Sequence, residues 1–259
     1  IQRGPLTRES LALYTYPERF DTATRLTLLS HLLKHIPDSG IIYCTTTRDC
    51  LQVANWLQHE GFNVKPYFAN VEEKISETRE ELEQQLLNNQ VKALVSSVAL
   101  GMGFDKGDLH FVIHYQLPGN IISYYQQIGR AGRNIDKAHI ILMSGYEDED
   151  IQEFFIKTAF PKEQQVMQVV DSLRTNGALT RNELQQQVNV KYTALEKILV
   201  HLEVENIIEK QQRAYSLTHS NSQPDFERWT QVTQQRYDEL ADMQAYLNEK
   251  DCLMRFLAS

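Results

Sequence analysis

The sequence predicts an α/β fold: a parallel sheet with helices on both faces, then a small α+β domain and a C-terminal helical segment. Three observations carry this. Short β-rich runs alternate with helical patterns over residues 1–161, the order expected of strand–helix–strand units. Several of those runs are apolar without interruption, as strands covered on both faces must be. After Pro161 the pattern changes to closely spaced amphipathic helices. The expected divisions are therefore 1–161, 162–220 and 221–259.

Taken in order, the strands are Leu11–Tyr16, Ile41–Cys44, Val64–Phe68, Ala93–Ser97, Phe111–His114 and Ile140–Met143. Thr22–Ile36 is helical because Leu26, Leu29, Leu32, Leu33 and Ile36 recur on one face. Arg48–His59 repeats Leu51, Ala54 and Leu57 and stops at Gly61 as at a C-cap. Residues 72–88 are strongly charged around a stripe of Ile75, Leu82, Leu86 and Leu87, which predicts one surface helix. The acidic run Glu147–Asp150 suits a helix N-terminus, where negative charge is favoured.

Beyond Pro161, Val166, Val169, Val170 and Leu173 predict a helix over 164–175 that ends at Asn176-Gly177. Thr180-Arg-Asn-Glu183 is a capping box for a second, and Leu195, Ile198, Leu199 and Leu202 mark a third over 192–205. Two short strands follow within Ile207–Leu217, around Gln211–Ala214. Three helices and a hairpin in this order describe a winged helix. A polar linker with Pro224 then leads into helix over 227–257.

With 259 residues, 42% of them apolar, the chain can build one large core or two smaller ones. No run approaches the roughly 18 apolar residues of a membrane span. Three cysteines (Cys44, Cys50, Cys252) are too few for a disulfide scaffold and favour a reducing compartment. The sequence shows no signal peptide and starts at Ile1 rather than Met, which suggests a shortened or processed chain. A net charge of −8 repels nucleic acid overall, so contact with a polyanion must be local.

The most informative stretch is Gln126-Gln-Ile-Gly-Arg-Ala-Gly-Arg133. Planar guanidinium groups donate paired hydrogen bonds to phosphate and stay charged, and small neighbours let a ligand come close. Ile121, Ile122, Tyr124 and Tyr125 just before it predict a helix held against a core. A second candidate, Ser96-Ser-Val-Ala-Leu-Gly-Met-Gly-Phe-Asp-Lys106, follows a strand, where open parallel sheets bind ligands. Its small residues allow backbone amides near a polyanion, and Asp105 is able to accept from a ribose hydroxyl. Both stretches also suit ordinary glycine turns on a surface.

Together these residues resemble motifs IV, V and VI of RecQ-family helicases. The resemblance rests on Ile41-Ile-Tyr-Cys44, the Ser97–Lys106 run, Phe111-Val-Ile-His-Tyr-Gln-Leu-Pro118 and Ser123-Tyr-Tyr-Gln-Gln-Ile-Gly-Arg-Ala-Gly-Arg133, in the family's order. The opening Arg3-Gly-Pro-Leu-Thr-Arg-Glu-Ser10 and the Ala159-Phe-Pro161 boundary are similar to a shorter bacterial branch. The resemblance implies a superfamily 2 motor with two RecA-like lobes and ATP with Mg2+ between them, of which this chain carries the second. It contains no Gly-x-x-x-x-Gly-Lys-Ser/Thr loop, and Asp238-Glu239 is followed by Leu240 rather than completing a magnesium motif. The expectation is a lobe inactive without its N-terminal counterpart.

By motif position, the resemblance implies that Arg133 and then Arg130 act as arginine fingers. Gln126 contacts the nucleotide or links to the other lobe, Gly129 belongs to the nucleotide site and Asp105 meets its ribose. Ser97, Gly101, Gly103 and Lys106 grip a DNA strand. Tyr67-Phe-Ala-Asn70 departs from the family's His-Ala-Gly run, so no strand contact is carried over there. Cys252-Leu-Met-Arg-Phe resembles the start of a four-cysteine zinc platform, but one ligand does not make a site, so no metal is expected within 1–259. A core thiol is the other reading of Cys252.

The implied partners are single-stranded DNA across the sheet domain and duplex at the winged helix, in a bacterial cytoplasm with no membrane. The third helix mixes Lys191, Lys197 and His201 with Glu196, Glu203 and Glu205, so it is not a basic recognition face. Tyr215 in the hairpin suits stacking on a base pair or a place in the core. The alternative class is a non-enzymatic winged-helix protein that binds DNA or regulates. An RNA helicase of the same superfamily is a nearer rival, against which Tyr124-Tyr125-Gln126 and the winged helix both argue.

Overall fold

The computed structural model describes residues 8–97, 100, 104–219 and 223–258. They form two compact units: Ile1–Glu153 with Arg236–Ser259, and Phe154–Gln235. This division differs from the expected one in two places. The first boundary falls within a helix rather than at Pro161, and the C-terminal helices are shared between the units instead of standing apart.

The first unit is built on six strands: β1 (Leu11–Phe20), β2 (Gly40–Tyr43), β3 (Val64–Tyr67), β4 (Ala93–Ser96), β5 (Phe111–His114) and β6 (Ala138–Gly145). Their order is β1-β6-β5-β2-β4-β3, and every pairing is parallel. All residues of β2, β4 and β5 are buried, which requires cover on both faces of the sheet centre. β1 runs past the expected Tyr16, with a register irregularity between Thr15 and Arg19. Pro17 lies there, and an edge strand tolerates its missing donor.

Helices α1 (Thr22–His35) and α2 (Thr47–His59) start at Asp21 and Thr46, whose side chains accept from Thr24 N (2.9 Å) and Asp49 N (3.1 Å). The single helix expected over 72–88 is instead a 3-10 turn at Val71–Glu73 and a shorter α3 (Arg79–Leu87). Thr78 and Glu81 form a reciprocal capping box, which sets the start of α3 there. α4 (Ile121–Ile128) and α5 (Asp148–Lys157) complete the helices up to the boundary.

The acidic run at the start of α5 is more than a solvated cap. Asp148 is buried and accepts from Leu117 N and Gly145 N, both at 2.9 Å, and from the fully buried Arg25 at 3.2 Å. Burial pushes its carboxyl above the usual range while Arg25 and the two amides pull it back. Arg25 also pairs with Glu147 and lies 4.0 Å from the centre of the Tyr115 ring.

The second unit contains α6 (Glu163–Asn176), β7 (Leu179–Thr180), α7 (Arg181–Gln187), α8 (Tyr192–Val204), β8 (Ile208–Gln211) and β9 (Ala214–Leu217). The three expected helices and the hairpin are all present. The strand β7, too short to show a sequence pattern, joins the hairpin in an antiparallel order β7-β9-β8. Val166, Val170, Leu184, Leu195, Ile198 and Leu202 are fully buried in its core, joined by Trp229. Tyr215 is 9% exposed and belongs to that core, so it is not presented for stacking on a base.

The helix expected over 227–257 is interrupted, giving α9 (Phe226–Leu247) and α10 (Leu253–Ala258). Asn248 N and Glu249 N turn back onto carbonyls of the preceding turn. The carbonyl of Cys252 accepts from Arg255 N (2.9 Å) and Phe256 N (3.2 Å), opening α10. Cys252 is an exposed free thiol and not a core residue. No helix among the described residues is long and apolar enough to cross a membrane.

Candidate functional site

α4 carries the candidate site and is held by its N-cap and by contacts with β5 and α9. Asn120 caps it by accepting from Ser123 N (2.7 Å), while Tyr124 and Ile128 are fully buried. The Tyr124 ring lies 4.8 Å from that of His114 on β5 and 5.1 Å from that of Tyr246 on α9. His114 Nε2 meets Gln127 Oε1 at 2.6 Å. Burial pushes His114 down to about 4, so the ring is neutral and carries its proton on Nε2 to donate to the amide oxygen.

The eight residues of α4 rise about 12 Å, close to the span of a four-residue strand. The helix starts after the C-terminal end of β5, so its far end lies by the N-terminal ends of the strands. There Gly132 N donates to Leu109 O (3.1 Å), just before β5, and Ala138 opens β6. The arginine pair therefore sits after α4, in the loop that feeds β6.

That loop is tightly fastened. Gly132 has φ +66°, and a Cβ there would lie 2.9 Å from Ser10 Oγ and 3.0 Å from Leu11 Cδ2, so only glycine fits. Ala131 is fully buried. The Gly129 carbonyl accepts from Arg8 Nη1 at 2.7 Å and the Gly132 carbonyl from Arg8 Nη2 at 3.0 Å.

The two arginines differ in presentation. Arg130 is half-buried and donates to Phe104 O (3.2 Å) and Leu100 O (3.0 Å), which ties the loop to the end of the glycine-rich run. Its charge also opposes the burial that pushes Tyr43 up to about 12. Arg133 has 42% of its side chain exposed; Nε donates to Gly129 O (3.2 Å) and Nη1 to Asp105 Oδ1 (2.7 Å). Asp105 and Gln126 are exposed as well. The structure thus brings Arg130, Arg133, Asp105 and Gly129 into one connected group, with Gln126 on the adjoining helix.

Lys106 is placed differently from the expectation that it meets DNA. Its side chain is 2% exposed, and Nζ donates to Asp108 Oδ1 (2.6 Å) and Leu87 O (3.4 Å). An ammonium committed to an internal partner is not presented to a strand, and Lys106 in turn lowers the Asp108 carboxyl. Ser97 is half-buried at the end of β4, with its N–H donated to Tyr67 O (3.1 Å). Gly101 and Gly103 lie outside the described residues.

Sequence reasoning missed Arg8, Ser10, His114 and Tyr246 as supports of this site. None has a local signature, because each acts through a partner distant in the chain. Among the described residues no group of three or more His, Cys, Asp or Glu side chains is arranged to hold a metal ion.

Residues 24–135, the stretch that builds this site, match the helicase conserved C-terminal domain. The ATP-dependent DNA helicase RecQ of Synechocystis is 34% identical over 142 residues, 52% of this chain and 29% of that protein. Residues 24–135 thus carry a helicase conserved C-terminal domain that is similar to those of RecQ-family helicases. The hus2/rqh1 helicase of Schizosaccharomyces pombe is 40% identical over 115 residues, 44% of this chain and 8% of that protein. The chain thus spans less than a third of the length of these relatives. A DEAD box protein from Methanococcus jannaschii, 25% identical, aligns over 58% of this chain and 39% of its own with a TM-score of 0.44.

Proposed function

We propose that this chain is the second RecA-like lobe and winged-helix module of an ATP-dependent DNA helicase with 3′-to-5′ polarity. The observation that carries the reading is the exposed Arg133 guanidinium, held beside Asp105 on a loop with fixed backbone. Its donor set suits phosphate oxygens, and a single exposed carboxylate suits a ribose hydroxyl. Bound ATP with Mg2+ supplies a phosphoryl group for transfer to water, held chiefly by a partner N-terminal lobe.

The residues here act on charge and alignment. Arg133 offsets the negative charge that develops on the phosphoryl oxygens, a contribution of about 10³–10⁵ in rate. Arg130 couples that position to the glycine-rich run through Leu100 and Phe104, so strand contact and nucleotide contact share one loop system. Gln126 and Asp105 orient the nucleotide. In the second unit Arg181, Lys210 and Arg213 line one groove, which suits duplex phosphates better than the mixed charges of α8. A reducing cytoplasm, bacterial by resemblance, fits the free cysteines.

The test is Arg133→Ala in the full-length protein. DNA-stimulated ATP hydrolysis falls by about 10³-fold or more while DNA affinity at fixed salt is retained. Turnover equal to wild type, with DNA binding indifferent to nucleotide, is the behaviour of a non-enzymatic DNA-binding protein and removes the reading.

A further inference from the structure

The arginine loop does not hold itself. Its two carbonyls flanking Arg130 and Ala131 are gripped by the segment leading into β1: Arg8 forks onto Gly129 O and Gly132 O, and Ser10 Oγ adds a second bond to Gly132 O at 2.7 Å. That segment is itself anchored, since Ser10 O accepts from Ala138 N (2.7 Å) at the start of β6 and Arg8 O from Leu11 N (3.2 Å). The Gly129 oxygen takes a second donor, Arg133 Nε at 3.2 Å. Arg8 and Arg133 therefore share one acceptor, and where Arg8 holds that oxygen decides where the base of the Arg133 guanidinium rests.

We infer that Arg8 is a positioning residue for the nucleotide-facing arginine: its planar fork sets the backbone from which Arg133 is presented. This rests on the reading of Arg133 as phosphate-facing. A lysine reaches one carbonyl at a time and cannot reproduce the fork. No contact of Arg8 with substrate is required. Its effect runs through distance and orientation, on which the rate depends steeply.

The experiment is steady-state ATP hydrolysis by the full-length protein with saturating single-stranded DNA, comparing wild type, Arg8→Ala, Arg8→Lys and Arg133→Ala. Thermal midpoint and DNA affinity are measured alongside. In Arg8→Ala, kcat falls about 10²-fold, the cost of a displacement near 1 Å, with KM for ATP within about two-fold of wild type. Arg8→Lys is intermediate. A purely structural role lowers thermal midpoint and DNA binding together and leaves the kcat of the folded fraction unchanged, which overturns the inference. Wild-type kcat in folded Arg8→Ala, with Arg133→Ala inactive, also overturns the role of Arg8 but leaves the proposed function standing. Wild-type kcat in Arg133→Ala overturns the reading beneath both. If Arg8→Ala does not fold, wild-type kcat in Arg8→Lys is the overturning result.

Discussion

Acidification is expected to loosen the helix that carries the site, through one residue. His114 is 1% exposed, lies between the rings of Tyr43 (5.2 Å) and Tyr124 (4.8 Å), and bonds Gln127 through Nε2. Burial lowers it from 6.5 to about 4. The unfolded chain therefore takes up this proton at a higher pH than the folded one. The stability tied to the neutral ring is complete above about pH 6.5 and is lost as pH falls to about 4, below which the loss is flat. At about 1.4 kcal/mol for each pH unit in that window, the full loss is about 3 kcal/mol.

The assay is urea unfolding at several pH values between those limits, for wild type and His114→Gln. Trp56 fluorescence reports the sheet unit, with Trp229→Phe in both proteins to silence the other tryptophan. His114→Gln keeps an N–H donor for Gln127 and cannot titrate, so the difference between the two proteins isolates the imidazole from the carboxylates. Wild type is expected to lose about 3 kcal/mol more than the variant from pH 6.5 to 4. Parallel curves refute the reasoning, because they mean the ring is charged or solvated in the fold.

Two further outcomes follow from the same geometry. Gly132→Ala places a Cβ 2.9 Å from Ser10 Oγ at φ +66° and should destabilise the sheet unit by about 1–3 kcal/mol, read as a lower urea midpoint; an unchanged midpoint contradicts the fit. Lys106→Ala empties the space of a side chain that is 2% exposed and should lower stability by about 1–3 kcal/mol while leaving DNA affinity and its salt dependence unchanged; a shallower salt slope would restore Lys106 to the strand interface.

Local chemistry accounts for what could be read from the sequence alone. Apolar runs, helical periodicity and the Thr180–Glu183 capping box depend on residues within a turn or two of each other, so six strands, most helix limits and the hairpin of the second unit were all legible. So was the importance of 126–133, since its residue types are unusual however they are placed. Where the local pattern was mixed, it misled. The charged stretch 72–88 contains a second cap at Thr78, and the helix over 227–257 contains a break before Cys252.

The sheet order, the end of the strands at which the arginines emerge and the partners of the charged groups were settled only by tertiary contact. Arg8 reaches Gly129 across 121 positions, Arg25 reaches Asp148 across 123, and Lys106 turns inward because Asp108 and the end of α3 meet it there. Residue type told that 126–133 could face phosphate. Which guanidinium stays exposed to do so depends on carbonyls and carboxylates brought together by folding, and neither periodicity nor spacing along the chain records those meetings.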